Sequence, residues 1–179
     1  MADQALDQQN TVDLGRFNIR PLKREDLPAL EWEGEFAHFR LVYQSVYERI
    51  QNGSAFAWIA ETEINGLVGQ VFLQLKSDQP EWANGWSRAY LYSFRIKPAY
   101  RNLGIGTKMI ETIQQYLLKK HFSRLTLNVA RDNSSGIRFY KRLGFQIVAE
   151  EPGIWSYIAH LGKWHTMEEP SWRMEKILT

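Results

Sequence analysis

The chain has 179 residues, of which 44% are hydrophobic and 13% aromatic, and its formal net charge is +2. This length favours one domain with a substantial core, and the small charge argues against nucleic acid or an anionic membrane surface as a partner. There is no cysteine, which excludes disulfides, thiolate metal sites and a cysteine nucleophile.

The first 15 residues, MADQALDQQNTVDLG, predict a loose polar tail ahead of a single domain at 16–179. They lack the basic head and apolar stretch of a signal peptide. No apolar run approaches the roughly 18 residues that span a bilayer. The cytoplasm is the simplest compartment for such a chain, and no membrane partner is expected.

The hydrophobic patterns predict an alternation of strands and helices. The predicted elements, in chain order, are a strand at 16–22, a charged segment at 23–32 whose proline could lie in a first helical turn, a helix at 39–52, a hairpin at 55–62 and 67–75, a strand at 89–96, a helix at 106–120, a strand at 124–129, a helix at 133–145, and strands at 146–151 and 170–178. The helix at 39–52 is expected to bury Leu41, Val42, Ser45, Val46 and Ile50. This order predicts a mixed α/β sheet with one parallel crossover through the helix at 106–120.

A glycine-rich loop, RNLGIGT at 101–107, precedes the helix that carries the crossover. A nucleotide-triphosphate loop is excluded because Thr107 comes before Lys108 and position 101 is not glycine. A dinucleotide fingerprint would need a third glycine at Met109 and an earlier acid than Asp132. A diphosphate site at a helix N-terminus, or a simple strand-to-helix turn, remains.

A second motif favours the diphosphate site. FRIKPAYRNLGIGT at 94–107, followed by NSSGIRFYKRLGF at 133–145, resembles the GNAT N-acetyltransferase superfamily. The resemblance extends over the order of elements from about residue 16 onward. Two positions depart from the family pattern: Asn102 stands where glycine is frequent, and Gly136 stands where another small residue is usual.

The resemblance implies a central, mostly antiparallel sheet of about seven strands flanked by about four helices, with the cofactor slot at the parallel crossover. It implies that residues 101–107 hold the pyrophosphate of acetyl-CoA and that the end of the strand at 89–96 pairs with the pantetheine arm. A bulge and a splay of this strand would form the slot. The implied cofactor-binding residues are Phe94, Arg95, Ile96, Arg101, Asn102, Leu103, Gly104, Ile105, Gly106, Thr107, Asn133, Ser135 and Tyr140.

The resemblance also assigns chemical roles. A backbone N–H near Ile96 would stabilise the oxyanion, and the Tyr140 hydroxyl would protonate the departing thiolate, since a phenol has a pKa of about 10. No general base is assigned, because the family's usual carboxylate is absent from the strand at 89–93. The alternatives left open are Glu61, Glu63, His160, His165 and Glu168.

The segment 151–170 is long for a link between two strands and is rich in rings. It is expected to be a lid, a wall of the acceptor pocket or a homodimer contact. Tyr92 and Trp155 are the expected acceptor-binding residues, and no metal site is expected because the spacing of His160, His165 and Glu168 is not compelling.

These patterns favour an N-acetyltransferase that moves an acetyl group from acetyl-CoA to a small-molecule or peptide amine by direct transfer in a ternary complex. The absence of cysteine fits direct transfer. A non-catalytic acyl-CoA-binding module of the same fold is the alternative.

Overall fold

The computed structural model describes residues 16–179, and the tail predicted at 1–15 lies outside the described residues. The strands are β1 Asn18–Pro21, β2 Ala55–Thr62, β3 Gly66–Gln74, β4 Arg88–Ile96, β5 Arg124–Ala130, β6 Gln146–Glu151, β7 Ile154–Ile158, β8 Trp164–Glu168 and β9 Ser171–Ile177. The α-helices are α1 Arg40–Gln51, α2 Ile105–Lys119 and α3 Ser134–Arg142, and 3-10 helices cover Arg24–Glu31, Ala37–Phe39 and Pro98–Tyr100.

Seven strands form one sheet in the order β1-β2-β3-β4-β5-β9-β6. Only the pair β4 and β5 is parallel among the strands of this sheet in residues 16–179, and α2 makes the crossover between them. The expected mixed, mostly antiparallel sheet of about seven strands is confirmed. Three α-helices and the eight-residue 3-10 helix at Arg24–Glu31 flank it.

Two apolar clusters cover the two faces of the sheet because side chains alternate along each strand. On one face Met109, Ile110 and Ile113 of α2 pack on Leu91 and Leu127. We call this the α2 face. On the opposite face, which we call the α1 face, Tyr43 and Val46 of α1 pack on Ile59 and Phe72. The α2 face carries the glycine-rich loop, and the α1 face carries Tyr92 of β4.

Two details of the chain depart from the expectations. In α1 the buried positions are Tyr43 and Val46, whereas Leu41 and Ser45, which the periodicity places on the buried face, are exposed. The segment 151–170 contains a separate two-stranded hairpin of β7 and β8, which sequence patterns did not resolve. No helix within residues 16–179 is long and apolar enough to cross a membrane.

Candidate active site

The first turn of α2 presents backbone N–H groups that have no protein acceptor. The loop before it enters the left-handed region at Asn102 (φ 62°) and Gly104 (φ 84°), a conformation that glycine adopts without a steric penalty. Gly104 is the N-cap residue of α2, so no side-chain hydrogen bond caps the first N–H groups of this helix. The first helical bond is donated by the N–H of Lys108, to the carbonyl of Gly104 at 3.0 Å. The N–H groups of Ile105, Gly106 and Thr107 therefore point outward and can receive an anion.

Gly106 lets the helix approach its neighbours closely. A Cβ at this position would lie 3.2 Å from Cδ1 of Ile96 and 3.2 Å from Cζ of Phe139. These contacts join α2, the end of β4 and α3 around the loop. Arg101 is tied into the same junction, because its Nε donates a hydrogen bond to the carbonyl of Ile96 at 2.9 Å.

The strand β4 has both irregularities that the resemblance implies. Gln70 of β3 faces Arg95, but Phe72 faces Tyr92, so Val71 opposes two residues of β4, and Ser93 at this bulge has a φ of 50°. On its other side β4 pairs with β5 only from Arg88 to Leu91. The remainder of β4 diverges from β5, which leaves a slot in the sheet that an extended ligand can enter.

The helix α3 closes the slot from the side. The side-chain carbonyl of Asn133 accepts a hydrogen bond from the N–H of Gly136 at 2.9 Å and caps the helix. The Ser135 hydroxyl also donates to Asn133, at 3.1 Å. A Cβ on Gly136 would come within 2.7 Å of the Asn133 side chain, so this cap explains the departure from the family pattern at that position.

Tyr140 projects from α3 toward the same slot. Its ring packs edge-on against Phe139 and Phe145, with centroids 5.2 Å and 5.6 Å away. Within residues 16–179 its hydroxyl has no side-chain or backbone hydrogen-bond partner. Burial raises the pKa of Tyr140 well above its ordinary value of about 10, so the hydroxyl carries its proton throughout the neutral range.

A cavity of about 960 Å³ joins these elements. Of the residues expected to bind the cofactor, those that line the cavity are Phe94, Arg95, Ile96, Arg101, Asn102, Gly104, Gly106, Thr107, Asn133, Ser135 and Tyr140. Leu103 does not line it, and Ile105 is 2% exposed in the core, so Ile105 can offer a ligand only its backbone N–H. Tyr92 and Trp155, the expected acceptor-binding residues, do not line the cavity either.

Tyr92 lies on the α1 face, at the start of the bulge in β4. Its hydroxyl accepts a hydrogen bond from Arg49 of α1 at 3.1 Å. Its ring stacks on Tyr90, with centroids 5.8 Å apart and planes 7° apart, and Tyr90 stacks in turn on Trp82. Burial raises the pKa of Tyr92 above its ordinary value. The rings of Trp82, Tyr90 and Tyr92 therefore form a stacked ladder that runs along β4 toward the slot.

Trp155 belongs to a ring cluster between the β7–β8 hairpin and the turn before α1. We call Phe36, Phe39, Trp155 and Tyr157 the aromatic mouth. Phe39 lies 6.1 Å from Trp155 and 4.8 Å from Tyr157, measured between ring centroids. Phe36 also lines the cavity, beside Trp32 and Glu35. The hairpin thus contacts the turn that forms one end of the cavity.

The residues considered as a general base lie in different surroundings. Glu61 is held by Arg20 through bonds of 2.8 Å and 2.9 Å, and Glu63 is exposed in the turn between β2 and β3. His160, His165 and Glu168 are exposed residues of the β7–β8 hairpin, where His165 stacks on Tyr157 at 5.4 Å. None of these five lines the cavity.

Sequence patterns missed His38, which sits beside the aromatic mouth with its ring 4.1 Å from that of Phe39. Burial, followed by the charges of Arg95, His160 and His165, lowers the pKa of His38. The neutral form of His38 therefore predominates at pH 7. In the part of the chain that the structure describes, no cluster of three or more His, Asp or Glu could hold a metal ion.

With this geometry in view, comparison with known proteins identifies the family. The acetyltransferase (GNAT) family matches residues 19–145, and the chain belongs to that family. It is 40% identical over 62 residues to the probable N-acetyltransferase san of Drosophila melanogaster, a match covering 34% of each chain. It is 37% identical over 68 residues to the thialysine Nε-acetyltransferase of Mus musculus, covering 38% of this chain and 40% of that enzyme.

Both matches span well under half of the length of these curated relatives. Among solved structures, NAA60 of Arabidopsis thaliana in complex with acetyl-CoA superposes with a TM-score of 0.68 at 20% identity. The superposition covers 91% of this chain and 99% of that one. This likeness shows that the two chains share a fold.

Proposed function

We propose that this protein is an N-acetyltransferase that transfers an acetyl group from acetyl-CoA to a primary amine directly, within a ternary complex. The observation that carries the proposal is the cavity that is lined by the first turn of α2, by the end of β4 that no longer pairs with β5, and by Tyr140. Family membership and an acetyl-CoA-bound structural neighbour support the choice of cofactor.

The residues around the slot suit acetyl-CoA. The three unpartnered N–H groups of α2 would receive the pyrophosphate, because they are oriented donors at the positive end of a helix. Gly104 and Gly106 leave the backbone accessible there. The half of β4 that leaves β5 exposes backbone groups that would pair with the amides of the pantetheine arm, in the manner of an added strand.

When bound, acetyl-CoA would supply a thioester: the amine nitrogen would form the new C–N bond as the C–S bond breaks, the proton lost by the nitrogen would pass to solvent water, and the CoA thiolate would leave. Tyr140 would give its proton to that sulfur. A general acid must be protonated before the leaving group forms, and burial, by raising the pKa of Tyr140, keeps its hydroxyl protonated at neutral pH. Phe139 and Phe145 pack against its ring, and within residues 16–179 its hydroxyl has no competing hydrogen-bond partner.

The relatives favour an amine acceptor. One is named for acetylating the ε-amine of thialysine, and a spermidine/spermine N-acetyltransferase from Vibrio cholerae shares the fold. For this chain we propose that the acceptor enters from the α1 face, past the aromatic mouth and the Tyr90–Tyr92 ladder, since the cofactor would bind beside the glycine-rich loop on the α2 face.

Calorimetry with acetyl-CoA on a matched pair of glycine variants tests the cofactor site. Gly104 and Gly85 have φ values of 84° and 88°, so Gly104→Ala and Gly85→Ala introduce a similar strain of about 1–2 kcal/mol. Gly85 does not line the cavity. We expect Gly104→Ala to weaken acetyl-CoA binding about tenfold or more and Gly85→Ala to leave the Kd unchanged. Equal affinities in the two variants would refute the assignment of the loop.

A CoA-release assay across lysine, polyamine, amino-acid and peptide acceptors tests the reaction itself. We expect at least one amine to be acetylated, with CoA and acetylated product formed in equal amounts. Tight acetyl-CoA binding without turnover on any amine would instead indicate the non-catalytic acyl-CoA-binding module.

A further inference from the structure

Arg49 and Arg95 have no acidic partner, unlike the other half-buried arginines of the described residues. Within residues 16–179, six arginines are partly buried. Four of them pair with a carboxylate, namely Arg20, Arg88, Arg124 and Arg173. Arg49 and Arg95 have no carboxylate oxygen within 4 Å among the described residues. Because a guanidinium taken from water without a counter-ion is costly, these two positions point to an anion that the protein itself does not supply.

Arg95 reaches from the bulged part of β4 to the α1 face. Its guanidinium carbon lies 4.2 Å above the ring of Phe36 and 5.1 Å from that of Phe39. Its Nη1 donates a hydrogen bond to the Tyr43 hydroxyl at 3.1 Å. These contacts fix the orientation of the guanidinium by cation–π packing and leave other N–H donors available, and Arg95 lines the cavity.

Arg49 lies on α1, close to the same stretch of β4. One of its terminal nitrogens donates to the Tyr92 hydroxyl at 3.1 Å, while its Nε is buried and has no hydrogen-bond partner. A buried donor without a partner costs about 1–3 kcal/mol unless a ligand or water satisfies it. Arg49 therefore adds a second unbalanced positive charge to the α1 face beside the slot.

The surrounding acids do not balance these charges. Glu31 is paired with Arg40 and Glu33 with Lys97. Glu35 is exposed on the cavity wall and is not within 4 Å of either guanidinium. His38 lies beside Phe39 on the same face, and burial, followed by the charge of Arg95, lowers its pKa. The acceptor side is thus both aromatic and electropositive.

We propose that the acceptor is a primary amine that carries a carboxylate, which pairs with Arg95, while the aromatic mouth holds an apolar or aromatic part of the molecule. Arginine suits this role because its planar donors match a carboxylate. A polyamine, by contrast, would bring additional positive charge toward Arg49 and Arg95. This inference rests on the proposed N-acetyltransferase function, and it specifies the class of acceptor.

Two amines that differ only by a carboxylate test the inference. Phenylalanine and 2-phenylethylamine have the same ring and a primary amine, and kcat/KM is measured for each by CoA release. We expect a preference for phenylalanine of about tenfold or more, the effect of one or two charge-assisted hydrogen bonds. In Arg95→Gln the ratio should fall toward unity, and Arg95→Lys should restore part of it. Arg40→Gln is the matched control, since Arg40 is exposed and paired with Glu31, and it should keep the wild-type ratio.

Binding measurements separate this inference from the function on which it rests. Calorimetry should show that N-acetylphenylalanine binds the wild-type protein more tightly than N-acetyl-2-phenylethylamine, and that Arg95→Gln abolishes the difference. An unchanged ratio in Arg95→Gln, or equal use of both amines by the wild type, would overturn the carboxylate site and leave the acetyltransferase intact. A large loss of acetyl-CoA affinity in Arg95→Gln would overturn it too, by assigning Arg95 to the cofactor. Acidic peptides in the same assay distinguish a peptide source of the carboxylate from a free amino acid.

Discussion

Replacing Tyr140 by phenylalanine removes one hydroxyl and little else. The ring contacts with Phe139 and Phe145 do not involve the hydroxyl, and that hydroxyl has no protein hydrogen bond within residues 16–179. The free energy of unfolding should therefore change by less than about 0.5 kcal/mol. If the hydroxyl protonates the departing thiolate, kcat should fall about 10²–10⁴-fold, which corresponds to about 3–5 kcal/mol of activation free energy.

The assay is the steady-state release of CoA thiol, with acetyl-CoA affinity measured by calorimetry on the same preparations. Tyr116→Phe is the matched control. Tyr116 is also a half-buried tyrosine whose pKa is raised by burial, but it packs on Phe56 and Trp58, away from the cavity. We expect Tyr140→Phe to lower kcat with little change in Kd, and Tyr116→Phe to change neither. Wild-type turnover in Tyr140→Phe would refute the general-acid role.

Three further predictions concern stability. Asn133→Ala should cost about 1 kcal/mol because it removes the cap on Gly136 N–H, whereas Asn133→Asp should keep the cap; urea unfolding measures both. Gly104→Ala should cost about 1–2 kcal/mol by thermal or urea unfolding, because alanine is strained at a φ of 84°. His38 has a lowered pKa in the folded state, so the unfolded chain binds more protons between the two pKa values, and stability should fall as the pH drops through about 6.5. His38→Gln should flatten this dependence in urea unfolding at about pH 5.5 and pH 7.5.

Each stability prediction has an outcome that contradicts it. Equal stability of Asn133→Ala and Asn133→Asp would mean that the cap is not important, and an unaffected Gly104→Ala would mean that the loop has another conformation. For the histidine, His121→Asn is the control, because His121 is exposed in the turn after α2. A pH dependence that persists in His38→Gln would assign it to other groups.

The fold was largely predictable from the sequence because the strands and helices carry strong hydrophobic periods. The hairpin of β2 and β3 joins two apolar runs through an Asn-Gly turn, and α2 buries the apolar side that its periodicity indicates. The β7–β8 hairpin was not predicted, because its strands expose most of their residues on both faces. Without a buried face, a strand lacks the alternation on which prediction relies.

The loop at 101–107 could be recognised in the sequence by its closely spaced glycines, and the motif beginning at Asn133 by the spacing of its asparagine, tyrosine and glycine. The bulge at Ser93 could not, since it depends on the register between β3 and β4 and on no residue type that demands it. The bulge and the alternation of β4 also decide that Arg95 lies against Phe36 on the α1 face. The contact between Phe39 and Trp155 could not be predicted either, because these residues are far apart in the sequence and only the tertiary fold brings them together.

The central claim is that this protein transfers an acetyl group from acetyl-CoA to an amine. The most direct measurement follows acetyl-CoA and an amine panel together, quantifying released CoA by its thiol and acetylated product by mass spectrometry. The account predicts equal amounts of CoA and N-acetylated amine for at least one acceptor, with the rate greatly reduced in Tyr140→Phe. Failure to bind acetyl-CoA at millimolar concentration, or binding without any acetylated amine, would contradict it.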